Sequence, residues 1–109
     1  MSGIQSAISV HGTTSPALDA HVQQKLGHAL EPLSGHVHGV DVHLQDVNGI
    51  SKAPGMRCHV TVRIRGEDPV VVEEVDGDMY EAISKAGTRV KNLMSKRHEK
   101  HLERKHGKL

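Results

Sequence analysis

The chain has 109 residues, 36% hydrophobic and 25% charged, with a formal net charge of +1. That length supports one hydrophobic core and excludes the larger two-domain enzymes. The lone aromatic residue, Tyr80, with no Phe or Trp beside it, excludes nucleic-acid binding on stacked aromatic platforms, which need several exposed rings.

Cys58 is the single cysteine, so a disulfide-built secreted scaffold is excluded. No apolar run approaches the roughly 18–20 residues of a membrane span. Met1-Ser2-Gly3-Ile4-Gln5-Ser6 lacks a basic segment followed by an apolar one, so no secretory signal is expected and the setting reads as cytoplasmic.

Taken in chain order, Ile4, Ile8 and Val10 share one parity and predict a first strand over 4–10. Ser15 is a candidate N-cap, and Pro16 suits the first helical position. Leu18, Val22, Leu26, Ala29 and Leu33 then recur at helical spacing, giving a helix over 16–31 that Pro32 ends. Val40, Val42 and Leu44 alternate with Asp41, His43 and Gln45, a second strand over 36–47. A loop from Asn48-Gly49 to Gly55 follows. Met56, Cys58, Val60, Val62 and Ile64 alternate with polar residues in a third strand. Gly66-Glu67-Asp68-Pro69 turns the chain into a fourth strand over 70–75. Asp76 or Asp78 caps a long second helix, whose apolar face is Met79, Tyr80, Ile83, Ala86, Val90 and Met94. Gly87 shares that face, where it permits close backbone approach.

The expected fold is an α+β two-layer domain of order β-α-β-β-β-α. The short loops make strands two to four an antiparallel meander. The first strand pairs parallel through a crossover, and both helices cover one face of a four-stranded sheet. The domain is expected over 1–100, with a basic, flexible tail over 101–109.

Charge is unevenly placed. Residues 85–109 hold nine basic and two acidic side chains, a net of +7, while residues 1–84 hold five basic and eleven acidic, a net of −6. A cationic segment on an acidic body points to a polyanion partner held at one end. On a helical wheel with Ile83 at zero, Lys85, Arg89, Lys96 and Lys100 fall between about 200° and 260°. This reads as a cationic stripe facing away from the sheet. Lys85–Arg89 and Lys96–Lys100 stand at i,i+4, a like-charge spacing that costs up to roughly 0.5 kcal/mol per pair. Tolerating that cost fits phosphate binding better than stability. Arg97 and His101 return to the core angle, so the helix is expected to overrun the sheet.

Ten histidines invite a metal hypothesis. His36 and His38 share a strand face, and His98 and His101 stand at i,i+3. No carboxylate or Cys completes a ligand motif, and the other histidines read as scattered, so no metal site is expected. A pH-tuned RNA affinity is the milder alternative. Cys58 has inward parity and reads as a small hydrophobe. Glu73, Glu74, Asp76 and Asp78 read as strand solubility and helix capping. No catalytic constellation and no cofactor site is expected.

Asp78-Met79-Tyr80-Glu81-Ala82-Ile83 leading into Arg89, Lys96 and Lys100 resembles the second-helix signature of the ribosome hibernation family. That family comprises hibernation promoting factor and ribosome-associated inhibitor A, also called sigma-54 modulation proteins. Asp46-Val47-Asn48-Gly49, Arg57-Cys58, and Leu18 with Val22 and Lys25-Leu26 add to the resemblance, which spans about residues 4–100. It implies a fold similar to double-stranded RNA-binding domains. It also implies a non-enzymatic factor that binds the small ribosomal subunit in the tRNA–mRNA channel and blocks translation during stress or stationary phase. The matching basic positions are Lys25, Arg89, Lys96 and Lys100; the stripe adds Lys85, and Arg97 extends the contact along the projecting end of the helix. His28 stands where the family often has Lys, and Glu31-Pro32-Leu33 replaces aromatic residues frequent near the end of the first helix. A short form, monomeric when free, is the nearest fit. The alternative is a free-standing structured-RNA-binding or protein-interaction module using the same stripe.

Overall fold

A computed structural model describes residues 7–47 and 55–106, with side chains through residue 97. The elements run β1 (Ile8–Gly12), α1 (Pro16–Leu30), a 3-10 segment (Glu31–His36), β2 (Val37–Asp46), β3 (Met56–Ile64), β4 (Val70–Asp76) and α2 (Met79–His106). The expected β-α-β-β-β-α order is the observed one. Sheet order is β1-β2-β3-β4, with β1 parallel to β2 and the remaining pairs antiparallel.

Parity builds the core. Val40, Val42, Leu44, Cys58, Val60, Val62 and Val72 point to one face and are essentially inaccessible. Val22, Leu26 and Leu30 of α1 and Ala82, Ile83, Ala86, Val90 and Met94 of α2 close over them in the same cluster. With no Phe or Trp available, stability rests on aliphatic packing. Each fully buried Leu, Ile or Val contributes roughly 1.5–3 kcal/mol relative to exposure.

Local chemistry sets the helix ends. Ser15 is extended and its hydroxyl accepts from Leu18 N at 3.2 Å, with Pro16 behind it, as the sequence predicts. Asp78 Oδ1 accepts from Tyr80 N, and Asp76 Oδ2 from Asp78 N, both at 3.0 Å. Both acids therefore serve the start of α2.

Several boundaries differ from the sequence reading. The first strand begins at Ile8 and continues to Gly12, and the expected Ile4 lies outside the described residues. The chain closes β1 with a sharp bend: Gly12 has φ 92°, and a Cβ there would run into the Leu44 carbonyl oxygen. Pro32 does not simply stop the chain winding. The α-helix ends at Leu30 and the chain tightens into 3-10 turns to His36, because Pro suits the first turn of a new helical segment. His36 therefore sits in that segment and does not share a strand with His38. The expected 48–54 loop lies outside the described residues.

Tyr80 corrects the predicted apolar face of α2. It is 41% exposed and lies edge-on to His21 of α1, ring centroids 5.1 Å apart. Its wheel angle carries it past the sheet to the seam between the helices. His21 Nε2–H donates across that seam to Tyr80 O at 3.2 Å, with Ser84 Oγ 3.1 Å away. One turn on, Lys25 packs beside Gly87, so the two helices run in the same direction.

Met94 is the last buried side chain among those described, and the α2 backbone continues to His106. The helix thus overruns its sheet as expected and extends six residues into the segment read as a tail.

Candidate nucleic-acid interface

Lys85, Arg89 and Lys96 stand exposed on one flank of α2, as their spacing requires. That flank does not face away from the sheet. α2 packs across the edge strand β4 and its neighbour β3, most closely on β4, so the 200–260° quadrant looks down onto the β4 margin. A wheel fixes angles relative to the buried face, but not which strand lies under the next quadrant.

Acids on that margin meet the stripe. Lys85 Nζ lies 3.2 Å from Asp76 Oδ1 and donates to Val75 O at 3.3 Å. Arg89 Nη1 lies 2.9 Å from Glu74 Oε2 and donates to Glu73 O at 3.3 Å. Arg97, which an apolar core cannot hold, passes the end of the sheet to the β3–β4 turn. It donates to Asp68 O at 2.5 Å, with Glu67 Oε1 3.6 Å away. The β4 acids read as solubility and capping groups are therefore also counterions of the stripe.

The hydrogen bond from Asp78 N, joined by that from Lys85, holds the Asp76 carboxyl below its ordinary value. Exposed ion pairs of this kind are worth at most about 1 kcal/mol each. A polyphosphate ligand can displace them, because charge-assisted Arg–phosphate contacts are at least as strong.

Lys25 is not on this flank. It is exposed on α1, at the seam where a Cβ on Gly87 would lie 3.4 Å from the Lys25 Cβ. The family resemblance names Lys25 beside the α2 cations as an RNA contact, and the structure puts Lys25 and the stripe on opposite sides of α2. Lys91, one turn beyond Gly87, is exposed on the Lys25 side. Between the two flanks runs an exposed, uncharged polar ridge of Thr88, Asn92 and Ser95. Neither Lys25, Lys91 nor Lys96 has an ion-pair partner among the described residues. Lys100 continues the stripe on the α2 backbone, beyond the described side chains. The arrangement is a polar ridge with cations down both sides, suited to phosphates that straddle the helix.

Sequence reasoning missed Lys91, whose angle separates it from the stripe and which only the α1 seam makes relevant. It also missed a row on the uncovered face of the sheet, where register aligns His11 with His43, His43 with His59 and His59 with Glu73. Those histidines looked scattered because register joins positions 16 to 32 residues apart. Among the described residues, no group of three or more His, Cys, Asp and Glu is placed to hold a metal ion. Burial, reinforced by the Glu74 charge, pushes the Cys58 thiol up to about 12, which leaves it protonated and unreactive at neutral pH. No helix among the described residues is long and apolar enough to cross a membrane.

Known proteins share this architecture. The N-terminal domain of Protein Y from Thermus thermophilus superposes with a TM-score of 0.64 at 26% identity, over 77% of this chain and 89% of that one. A ribosomal subunit interface protein from Coxiella burnetii superposes with a TM-score of 0.71 at 19% identity, over 84% of this chain and 97% of that one, a likeness of fold alone. No curated protein sequence matches. The family model described as sigma 54 modulation protein / S30EA ribosomal protein matches residues 7–102, and this chain belongs to that family of ribosome-associated factors.

Proposed function

We propose that this protein is a non-enzymatic, cytoplasmic translation inhibitor. It binds the small ribosomal subunit in the tRNA–mRNA channel and keeps ribosomes idle during stress or stationary phase. The observation that carries the reading is the cation-flanked ridge of α2, on a fold shared with a Protein Y domain and a ribosomal subunit interface protein.

Lys85, Arg89, Lys96, Arg97 and Lys100 engage phosphates on the β4 side, and Lys25 engages them on the α1 side. Thr88, Asn92 and Ser95 lie where 2′-hydroxyls and phosphate oxygens would pass. Such contacts read RNA shape rather than base sequence. The free protein is a monomer and needs no cofactor.

Ribosome pelleting at rising salt tests this. Neutralising about five phosphates gives a log-affinity against log-salt slope of about −4. Binding indifferent to salt overturns the reading. Displacement from ribosomes by double-stranded RNA of arbitrary sequence favours the alternative, a free-standing structured-RNA binder.

A further inference from the structure

The uncovered face of the sheet lies opposite both helices and plays no part in the interface above. His11 on β1 and His43 on β2 are register partners there. Their rings meet edge to face, centroids 5.1 Å apart and planes at 82°. Both residues are exposed. We propose that His11 and His43 form a binding site for a borderline divalent transition cation, with Zn²⁺ as the representative, clipping β1 to β2.

The backbone holds the pair in place. β1 is a five-residue strand at the end of the sheet order, and β2 is its one sheet neighbour among the described residues. Immediately after His11 the chain bends at Gly12, and Thr13 N donates to Leu44 O at 2.7 Å. His11 is thus anchored on both sides beside His43. Strands pair at about 4.8 Å, which sets the two Cβ atoms close together. Imidazole nitrogen binds zinc at about 2.0–2.1 Å, so tetrahedral coordination puts two ligating nitrogens roughly 3.3 Å apart. A centroid separation of 5.1 Å is compatible with that spacing once side-chain rotation turns one nitrogen of each exposed ring toward the other.

His59 is the next register partner of His43, and Glu73 beyond it is engaged by Arg57 at 3.2 Å. Among the described residues no third His, Cys, Asp or Glu joins a pair closely enough to hold a metal ion, so the site is two imidazoles with water completing the shell. Imidazole suits zinc, copper and nickel and gives little to magnesium or calcium.

The test is Zn²⁺ titration of the untagged full chain by calorimetry, paired with thermal unfolding. The wild type binds, and H11A/H43A binds at least about tenfold more weakly, since loss of even an outer-shell partner weakens metal sites 10–100-fold. The H36A/H38A control stays within about twofold of wild type. Zn²⁺ at ten times its wild-type Kd raises the wild-type Tm by roughly 5–10 °C and that of H11A/H43A by no more than about 3 °C. The conservative H11Q/H43Q pair guards against misfolding. Ni²⁺ broadening of amide signals, which needs no substitution, is expected to centre on His11 and His43. Wild-type affinity in both double variants at 11 and 43, absence of wild-type binding up to millimolar Zn²⁺, or broadening centred on other histidines overturns the proposal.

Discussion

Arg89 on α2 lies 2.9 Å from Glu74 on β4, an ion pair between the helix that carries most of the positive charge and the strand that carries Glu73, Glu74 and Asp76. It joins Lys85–Asp76 and Arg97–Glu67 in screening three of the cations offered to RNA. A phosphate ligand must displace these carboxylates. Lys25, Lys91 and Lys96, which have no such partner among the described residues, engage it first.

Glu74→Gln removes that competition while keeping the side chain's shape. Exposed pairs of this kind are worth up to about 1 kcal/mol, so ribosome affinity is expected to tighten about two- to fivefold at low salt. Equilibrium binding by co-sedimentation checks this. Weakened binding by Glu74→Gln would show that the acid positions Arg89 for RNA instead of screening it.

Lys91→Ala tests the second flank. If RNA straddles α2, this variant loosens ribosome binding by about fivefold and makes the salt slope shallower by about one. An unchanged slope confines the interface to the β4 side.

Gly87 illustrates what sequence could and could not tell. Its position on the buried face suggested close helix approach, and Lys25 of α1 does lie against it. A methyl group there would still sit at 3.4 Å from the Lys25 Cβ, ordinary contact. Gly87→Ala is therefore expected to stabilise the fold by about 0.5–1 kcal/mol through helix propensity. Gly87→Leu pries the helices apart and destabilises it by at least about 1–3 kcal/mol. Denaturant midpoints distinguish the two, and a destabilising Ala contradicts this packing.

Asp76 makes a pH prediction. Its carboxyl is held below the ordinary value by the Asp78 N–H first and by Lys85 second. A depressed folded-state value stabilises above the unfolded value of about 3.9 and is lost as pH falls through the folded one. The stability gap between wild type and Asp76→Asn should be full from pH 5 to 7 and shrink below about pH 4. A gap independent of pH excludes the charged form as its origin.

Cys58 should resist alkylation at neutral pH in the native state, because burial pushes its thiol up to about 12. Modification is expected only at the rate of opening of the fold. Rapid labelling of folded protein would contradict its burial.

The fold was legible because each signal that specifies it is local. Alternation in residues 56–64, the Ser15–Pro16 cap and the 3.6-residue recurrence of Ile83, Val90 and Met94 each fix an element without reference to any other. The cationic residues were legible for the same reason. Their surroundings were not, since Arg89 meets Glu74 and His11 meets His43 only through strand order and register. Tyr80 was misplaced because its wheel angle lies at the rim of the buried face. The position of α1 decides what covers that rim.

The central claim is that cations on α2 hold ribosomal RNA, and charge reversal at Arg89, Lys96 and Lys100 together tests it most directly. Translation inhibition and ribosome co-sedimentation by the triple Glu variant, with its fold verified by circular dichroism, are the readouts. The account predicts that both weaken by at least about 100-fold, since each hydrogen bond to a charged group contributes about 1.5–3 kcal/mol. A triple variant that silences protein synthesis as well as its parent would contradict it.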